Sequence, residues 1–277
     1  TGDISATIRQ AGVLGPGNPV EYKNAFRDQI KAFASESHAL ASREAIEVDA
    51  DFLRFTTKSG RPAGVAQRAD RRLHISAIGE AADRTRREEI FMTSLAGRLP
   101  IVRNSERAFV TMLNELRIKV MKKMVQHAEL ANGGPATDVQ LDRIADFINY
   151  ATGRGSLGKA EAAAPVLNGM GFSPRLAISR FQLPLPILTR APNVRKKFAS
   201  DLVSYMGFGA IILFLLDRAV PGVDVVANPL SSDFGKARIG KTRLDLFAGN
   251  LQTVRFLFQQ VSGKRQSAGT RSVADQN

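Results

Sequence analysis

The stretch Ser105–Val125, SERAFVTMLNELRIKVMKKMV, decides the fold. Its apolar residues recur at intervals of three and four, which is the spacing of one face of an α-helix. Those residues are Phe109, Met112, Leu113, Leu116, Val120 and Met124. The opposite face carries the basic residues Arg107, Arg117, Lys119, Lys122 and Lys123. We therefore predict a long helix, capped by the Ser105 hydroxyl, whose methionine-rich face belongs to an ordinary core.

Weaker helical patterns precede this stretch. Asn18-Pro19 is a typical helix start, and the pattern that follows extends to about Ala45. Its apolar face is formed by Phe26, Ile30, Phe33 and Ala34. Residues 47–62 alternate in part, as in a short strand or an irregular linker, and we expect a loop that packs Phe52, Leu53 and Phe55. Residues 65–98 have helical intervals that end at Gly97 and Pro100, a common helix stop.

A glycine-rich segment after the central stretch, ATGRGSLGKA at 151–160, has the spacing of a phosphate-binding loop. Gly153, Gly158 and Lys159 fit G-x-x-x-x-G-K, but Ala160 replaces the hydroxyl residue that would hold magnesium. The preceding residues 137–151 have helical periodicity and a capping-box start, whereas a phosphate-binding loop follows a strand. We predict a turn between two helices, with Gly153 in the left-handed conformation.

The charge of the chain points to a polyanionic partner. The 277 residues include 39 Lys and Arg against 26 Asp and Glu, a net charge of +13, and contain no cysteine. Residues 171–277 hold fifteen Lys and Arg against six acidic residues, so the excess is concentrated there. Such a balance favours nucleic acid or an anionic surface as the partner. The absence of cysteine excludes disulfides, thiol catalysis and cysteine metal sites from this chain.

Basic residues with interleaved phenylalanines follow the glycine-rich segment, in a region whose prolines allow only short helical pieces. A KARIGKTRLDL segment at 236–246 alternates around Gly240 and predicts a small β-hairpin that displays further cations. Basic residues near aromatic ones can follow a nucleic-acid backbone. The alternative is a solvated surface over buried phenylalanines. The candidate nucleic-acid contacts are Arg154, Lys159, Arg175, Arg180, Arg195, Lys196, Lys197, Lys236, Arg238, Lys241 and Arg243.

The most apolar run of the chain is Tyr205–Leu216, twelve residues long. A membrane span needs about 20 residues, and a run of 10–14 is typical of a buried core helix. We therefore expect a central core helix, and the alternative is a segment that enters a membrane after rearrangement. Its large side chains are Tyr205, Phe208, Ile211, Ile212, Phe214 and Leu215. A last helix is expected from Phe247 to Val261, with a polar, disordered tail from Gly263.

The sequence as a whole predicts a mainly α fold, an irregular multi-helix bundle with proline-rich connections and one small β-hairpin near the C-terminus. We divide it into four segments. Residues 1–46 form an extended lead-in and a helix, and 47–152 a helical domain. Residues 153–262 form a basic helical region with the apolar helix and the hairpin, and 263–277 the disordered tail.

No constellation of catalytic residues is visible in the sequence. No carboxylate pair is placed for acid–base chemistry, and no nucleophile motif such as G-x-S-x-G occurs. His38, His74 and His127 have no partner at a metal-binding spacing, so we interpret them as structural or surface residues. We expect neither an enzyme nor a cofactor or metal.

Several stretches resemble the C-terminal helical region of large polyvalent proteins of tailed bacteriophages. The most specific are SERAF at 105–109, ATGRGSLG at 151–158 and NPLSSDFGK at 228–236. The resemblance extends in order from Asp3 to Gly263, and the segment 47–85 departs from it. It implies a protein packaged inside the virion and delivered to the host with the DNA, and it carries over no catalytic residue. The chain starts at Thr1, which under this resemblance implies cleavage from a larger precursor.

These observations predict a non-enzymatic bacteriophage virion protein. We expect it inside the capsid, near the portal or on the DNA, leaving with the genome as an ejection protein. Its expected partners are portal or other internal virion proteins, further copies of itself, DNA bound without sequence preference, and a membrane during ejection. The main alternative is a capsid-sorting or scaffold module of a phage polyprotein that carries an anti-restriction or polymerase-like enzyme. A third class is a membrane-active channel built around Tyr205–Leu216.

Overall fold

A computed structural model describes residues 10–57, 72–76, 100–158, 174–188, 191–240, 242–265 and 274–275. It is mainly helical, with a small three-stranded antiparallel sheet near the C-terminus, which confirms the predicted fold class. The chain divides into two compact units, Thr1–Leu202 and Val203–Asn277. The predicted helical segment 65–98 lies largely outside the described residues, and its described part, 72–76, is not helical, so the prediction is wrong there.

The first unit is built from helices. They are α1 (Pro19–Ala34), α2 (Glu36–Glu47), α3 (Phe52–Thr56), α4 (Pro100–Asn132), α5 (Asp138–Ala151) and α6 (Pro174–Gln182), followed by a 3-10 turn (Leu185–Leu188) and the start of α7 (Pro192–Ala219). The helix α4 lies at the centre, because α1, α2 and α5 all pack against it. Prolines begin α1, α4, α6 and α7. Proline suits this position because it lacks an N–H, and the first N–H groups of a helix have no acceptor within the helix.

The predicted core face of α4 is confirmed. Phe109, Met112, Leu113, Leu116, Val120 and Met124 are all buried. The helix begins at Pro100 rather than at Ser105, so Ser105 is an interior residue and the prediction of its capping role is wrong. Pro100 begins this helix, and the end of the helix predicted over 65–98 lies outside the described residues.

The helix predicted from Pro19 to Ala45 is divided in two at Ser35. The backbone of Ser35 is extended, and its hydroxyl accepts a hydrogen bond from the N–H of His38 at 3.2 Å, which caps α2. The helix α1 buries Ala25 and Ala32, while its larger apolar residues Phe26, Ile30 and Phe33 are exposed. Small side chains let helices approach closely, and Ala32, Ala39 and Ala108 form a fully buried cluster.

Ion pairs hold the outer cations of α4 to its neighbours. Lys119 pairs with Asp28 of α1 at 3.0 Å, and Lys123 pairs with Glu21 of α1 at 2.9 Å. Lys122 pairs with Asp49, and this hydrogen bond lowers the pKa of the Asp49 carboxyl. The basic face predicted for α4 is therefore an interhelical surface, and its lysines are occupied.

Between α2 and α4, the segment expected to be a loop contains the short helix α3. Phe55 is buried there, whereas Leu53 is exposed. Arg72 is buried and donates to two carboxylates of α5, to Asp142 at 2.7 Å and to Asp138 at 2.9 Å.

The predicted capping box and turn of the glycine-rich segment are confirmed. Thr137 and Gln140 form the reciprocal capping bonds of α5, and Gly153 has φ +81°. A Cβ at Gly155 would lie 2.5 Å from the Ser179 nitrogen of α6, so this glycine permits close packing of loop on helix. The segment follows a helix, and its described glycines serve a turn and a packing contact. Lys159 lies outside the described residues.

The second unit contains the predicted hairpin, with one strand more than expected. Strands β1 (Val223–Val225), β2 (Ala237–Ile239) and β3 (Thr242–Leu244) form an antiparallel sheet in the order β1-β2-β3. Val223 faces Ile239, and Ala237 faces Leu244. Gly240 turns the hairpin with φ +58°.

The last helix, α8 (Asn250–Ser262), begins three residues later than predicted. It buries Leu251, Thr253 and Gln259, whereas Val254, Phe258 and Val261 are exposed. The segment predicted as a disordered tail contains a short ladder, in which β4 (Lys264–Arg265) pairs antiparallel with β5 (Ala274–Asp275). Residues 266–273 and 276–277 of this segment lie outside the described ones.

Candidate interaction surface

The helix α7 carries two groups of residues that the sequence singled out, the basic cluster Arg195–Lys197 and the apolar run 205–216. The helix begins at Pro192 and is continuous over 28 residues to Ala219. The buried positions Val194, Phe198, Asp201 and Tyr205 recur at intervals of three and four. One face of α7 is therefore packed and the other is open to solvent.

The packed face begins in the first unit. The ring of Phe198 is fully buried and stacks on Phe147 of α5, with the ring centroids 4.6 Å apart. One turn later, the buried carboxylate of Asp201 pairs with Lys197 and accepts a hydrogen bond from Asn18 at 3.2 Å. The aspartate that interrupts the uncharged sequence is thus neutralised by a lysine of its own helix.

The packed face continues in the second unit around Phe247. The Tyr205 hydroxyl donates to the Phe247 carbonyl at 2.9 Å, and the two rings meet edge to face at 5.7 Å. Gly209 lies under the same ring, where a Cβ would be 2.4 Å from the Phe247 ring carbon Cε1. Tyr205 and Gly209 therefore fix the approach of the segment before α8 to α7.

The open face of α7 is apolar, so the prediction of a buried core helix is wrong. Phe208 is 56% exposed and Ile211 59% exposed, and Val203, Phe214 and Leu215 are also exposed. Only Tyr205 of the predicted apolar set is buried, and Ile212 is half-buried. Within the described part of the second unit, the packing on α7 centres on Phe247, whose ring lies against Tyr205 and Gly209.

Among the described residues, α7 is long and apolar enough to cross a membrane, and only 22% of its most apolar 18-residue window is buried. A core helix of a water-soluble fold would be mostly covered. An exposed apolar surface of this kind is typical of a site that binds another protein or a membrane.

An apolar groove of about 440 Å³ lies beside this open face. Its walls come from α7, from the segment after β1 and from α8, and they include Met206, Leu213, Phe214, Val226, Phe234 and Leu251. The groove widens the apolar surface of the second unit beyond the helix itself.

The predicted nucleic-acid contacts are placed in different environments. Arg195 and Lys196 are exposed on the first two turns of α7, with no ion pair in the part of the chain that the structure describes. Lys197 is held by Asp201. Arg154 is buried, with its guanidinium 3.5 Å from the Ser76 hydroxyl, so it does not present its charge at the surface.

Other members of the predicted set are partly covered. Arg175 is half-buried and donates to the Gly155 carbonyl at 3.4 Å, and Arg180 is half-buried on α6. Lys159 and Lys241 lie outside the described residues.

The cations of the hairpin surround one aspartate. Arg243 donates to Asp233 at 2.8 Å, and Lys236 lies 3.4 Å from the same carboxylate. Burial raises the pKa of Asp233, but the hydrogen bonds and charges of Arg243 and Lys236 outweigh it, so the net pKa is lowered. Arg238 lies 4.0 Å from Asp224. These cations stabilise the hairpin, which reduces the positive charge that they offer to a phosphate.

Sequence reasoning missed the exposure of α7. The signal was present in the sequence. The uncharged run begins at Phe198, and one helical face is shared by Lys196, Val203, Ile211 and Phe214. A basic residue aligned with an apolar face indicates a surface helix.

No group of three potential metal ligands occurs within the described ranges. Comparison with models of known protein families, with curated proteins and with solved structures finds no match to this chain. The resemblance to large polyvalent phage proteins therefore depends on the sequence stretches quoted above and stays a prediction.

Proposed function

We propose that this chain is a non-enzymatic bacteriophage virion protein that binds DNA phosphates without reading sequence. It would reside inside the capsid, near the portal, and leave with the genome into the host cell. The observation that carries the DNA-binding part is the pair Arg195 and Lys196 at the start of α7, which is exposed and makes no ion pair within the described residues. The net charge of +13 supports it, and the phage-like sequence stretches support the location.

The contrast with α4 supports this choice of residues. Lys119, Lys122 and Lys123 are held by carboxylates of the first unit, so a phosphate would have to displace a partner. Arg195 and Lys196 have no such competitor among the described residues. Binding of this kind releases condensed counterions and weakens linearly with the logarithm of salt concentration.

Contact with other virion proteins is the second part of the proposal. The exposed side chains Phe26, Ile30 and Phe33 on α1 give the first unit an apolar surface that a neighbouring protein, or another copy of this chain, would cover.

A salt titration with a short DNA duplex of arbitrary sequence tests the DNA-binding part. Replacing Arg195 and Lys196 together by glutamine should reduce the slope of log K against log salt by about 1.8, at about 0.9 for each lost phosphate contact. The control replaces Lys23 and Arg27, two exposed cations of α1, so that the loss of net charge is the same. If both variants change the slope equally, or if the protein does not bind DNA at low salt, Arg195 and Lys196 are not the DNA contacts.

Mass spectrometry of purified particles tests the virion part. We expect peptides of this chain in the particle, as a separate polypeptide. Recovery only within one very large intact polypeptide would favour the capsid-sorting alternative. Absence from the particle, or nucleotide hydrolysis by the pure chain, would contradict both.

A further inference from the structure

We propose that the open face of α7 is a lipid-binding surface that inserts into anionic bilayers. This inference concerns a different partner from the DNA proposed above and does not depend on it. It is carried by three features of one helix, namely an exposed apolar face, a charge-free length and a basic start.

A long stretch of α7 carries almost no charge. From Phe198 to Leu216 the helix has nineteen residues with Asp201 as the one charged residue, and Asp201 is paired with Lys197. At 1.5 Å per residue this part is about 28 Å long. A helix that lies in the plane of the membrane interface can contact lipid along this whole length.

The position of two cations on α7 indicates that the lipid headgroups it binds are anionic. Val203 and Phe214 follow Lys196 by seven and eighteen residues, which are close to whole helical turns, and Ile211 lies about 60° to one side of that line. Lys196 therefore lies on the line of the exposed apolar face, and Arg195 is beside it. Cations next to a buried apolar face bind anionic headgroups while the apolar side chains enter the acyl region.

The structure also allows insertion without unfolding. The packed face of α7 retains Tyr205 and Leu213 against the second unit, while Phe208 and Ile211 are already exposed. A lipid surface can therefore cover the open face and leave the internal contacts in place. A surface-lying helix whose binding depends on apolar area and on anionic lipid is the expected behaviour.

Single-tryptophan variants test the proposal directly, because the chain contains no tryptophan. Ile211→Trp places the probe on the open face, and Val139→Trp places it at a similarly exposed position of α5. Vesicles of phosphatidylcholine with phosphatidylglycerol should shift the emission of Ile211→Trp to the blue, and brominated acyl chains should quench it. Val139→Trp should show neither change.

The role of charge is tested with the Arg195→Gln, Lys196→Gln variant. Removing two surface cations should weaken binding to anionic vesicles about 30-fold, at roughly fivefold for each cation, with no change for pure phosphatidylcholine. An equal loss from the Lys23→Gln, Arg27→Gln control would overturn the assignment of this helix.

Two results would overturn the inference. One is the absence of acyl-chain quenching for Ile211→Trp with anionic vesicles. The other is a blue shift without lipid that grows with protein concentration and accompanies a larger sedimenting species, since a second copy would then cover the face.

The variant Phe208→Ser, Ile211→Ser separates this inference from the proposed function. It should lose vesicle binding and keep the salt-dependent binding of DNA, and its helix content by circular dichroism should be unchanged because both residues are exposed. If the Arg195→Gln, Lys196→Gln variant lost DNA binding but kept vesicle binding, these two cations would not be part of the lipid-binding surface.

Discussion

The helices α4 and α7 differ in a way that their composition does not suggest. Nine of the 33 residues of α4 are charged, yet its apolar face is buried and its outer lysines pair with neighbouring helices. The helix α7 has nineteen consecutive residues with one charge, yet only 22% of its most apolar 18-residue window is buried. Apolar content therefore did not determine burial here. The number of surrounding elements did, since α4 is flanked by α1, α2 and α5.

The comparison predicts that identical deletions have very different effects on stability. Phe198→Ala removes a fully buried ring that stacks on Phe147, and should lower the free energy of unfolding by about 4 kcal/mol. Phe208→Ala removes the same ring from the open face of the same helix, and should change it by less than about 0.5 kcal/mol. Urea denaturation followed by circular dichroism measures both. Equal losses would show that the open face is covered in solution.

A leucine pair extends the comparison to both helices. Leu116→Ala in α4 should cost about 3 kcal/mol, because Leu116 is fully buried and its removal leaves a cavity. Leu215→Ala in α7 should cost less than about 0.5 kcal/mol, because half of that side chain already contacts solvent. A large cost at Leu215 and none at Leu116 would reverse the assignment of core and surface.

Much of this fold could be predicted from the sequence, because local signals were strong in particular places. The spacing of Phe109 to Met124 gave the core face of α4, the Thr137 capping box gave the start of α5, and Gly240 gave the hairpin turn. These signals depend on residues within one or two turns of one another.

The errors arose where burial depends on distant parts of the chain. The pattern of α1 emphasised Phe26 and Ile30, but packing on α4 selected the alanine face. For α7, a run of apolar residues is compatible with a core helix and with an exposed one. The deciding fact was how little of the second unit covers it. The candidate cations could be found by type, but Arg154 is buried and Lys197 is occupied by Asp201.

Two glycines of α7 should respond with opposite sign to the same substitution. Gly209→Ala would place a Cβ 2.4 Å from the Phe247 ring, and should destabilise the protein by about 1 kcal/mol, since overpacking exceeds the gain in helix propensity. Gly207→Ala has open space around it and should stabilise by up to about 1 kcal/mol. The two unfolding free energies provide the measurement, and a gain at both positions would mean that Phe247 does not pack on α7.

The smallest expected effect concerns an ion pair of α4. Arg54 donates to Glu129 at 2.6 Å, and this bond, with the N–H of Ala136, lowers the pKa of the Glu129 carboxyl from its usual value of 4.5. A lowered carboxyl pKa stabilises the fold above the unfolded value, and the contribution disappears as pH falls through the folded pKa. Glu129→Gln should therefore cost about 0.5 kcal/mol at pH 7, as for other partly exposed pairs.

That cost should shrink as pH falls below about 4.5, because protonated Glu129 then resembles glutamine. Unfolding free energies of both proteins between pH 3 and pH 7 measure the difference. In an Arg54→Gln background the charged partner is gone. The change in unfolding free energy caused by Glu129→Gln should then fall to the contribution of the hydrogen bond from the Ala136 N–H. A difference independent of pH in the original background would show that the pair does not act through charge. The pair between α3 and α4 would then add no charge-based stability. The contrast between α4 and α7 would rest on their apolar faces and on the pairs that Lys119, Lys122 and Lys123 make with neighbouring carboxylates.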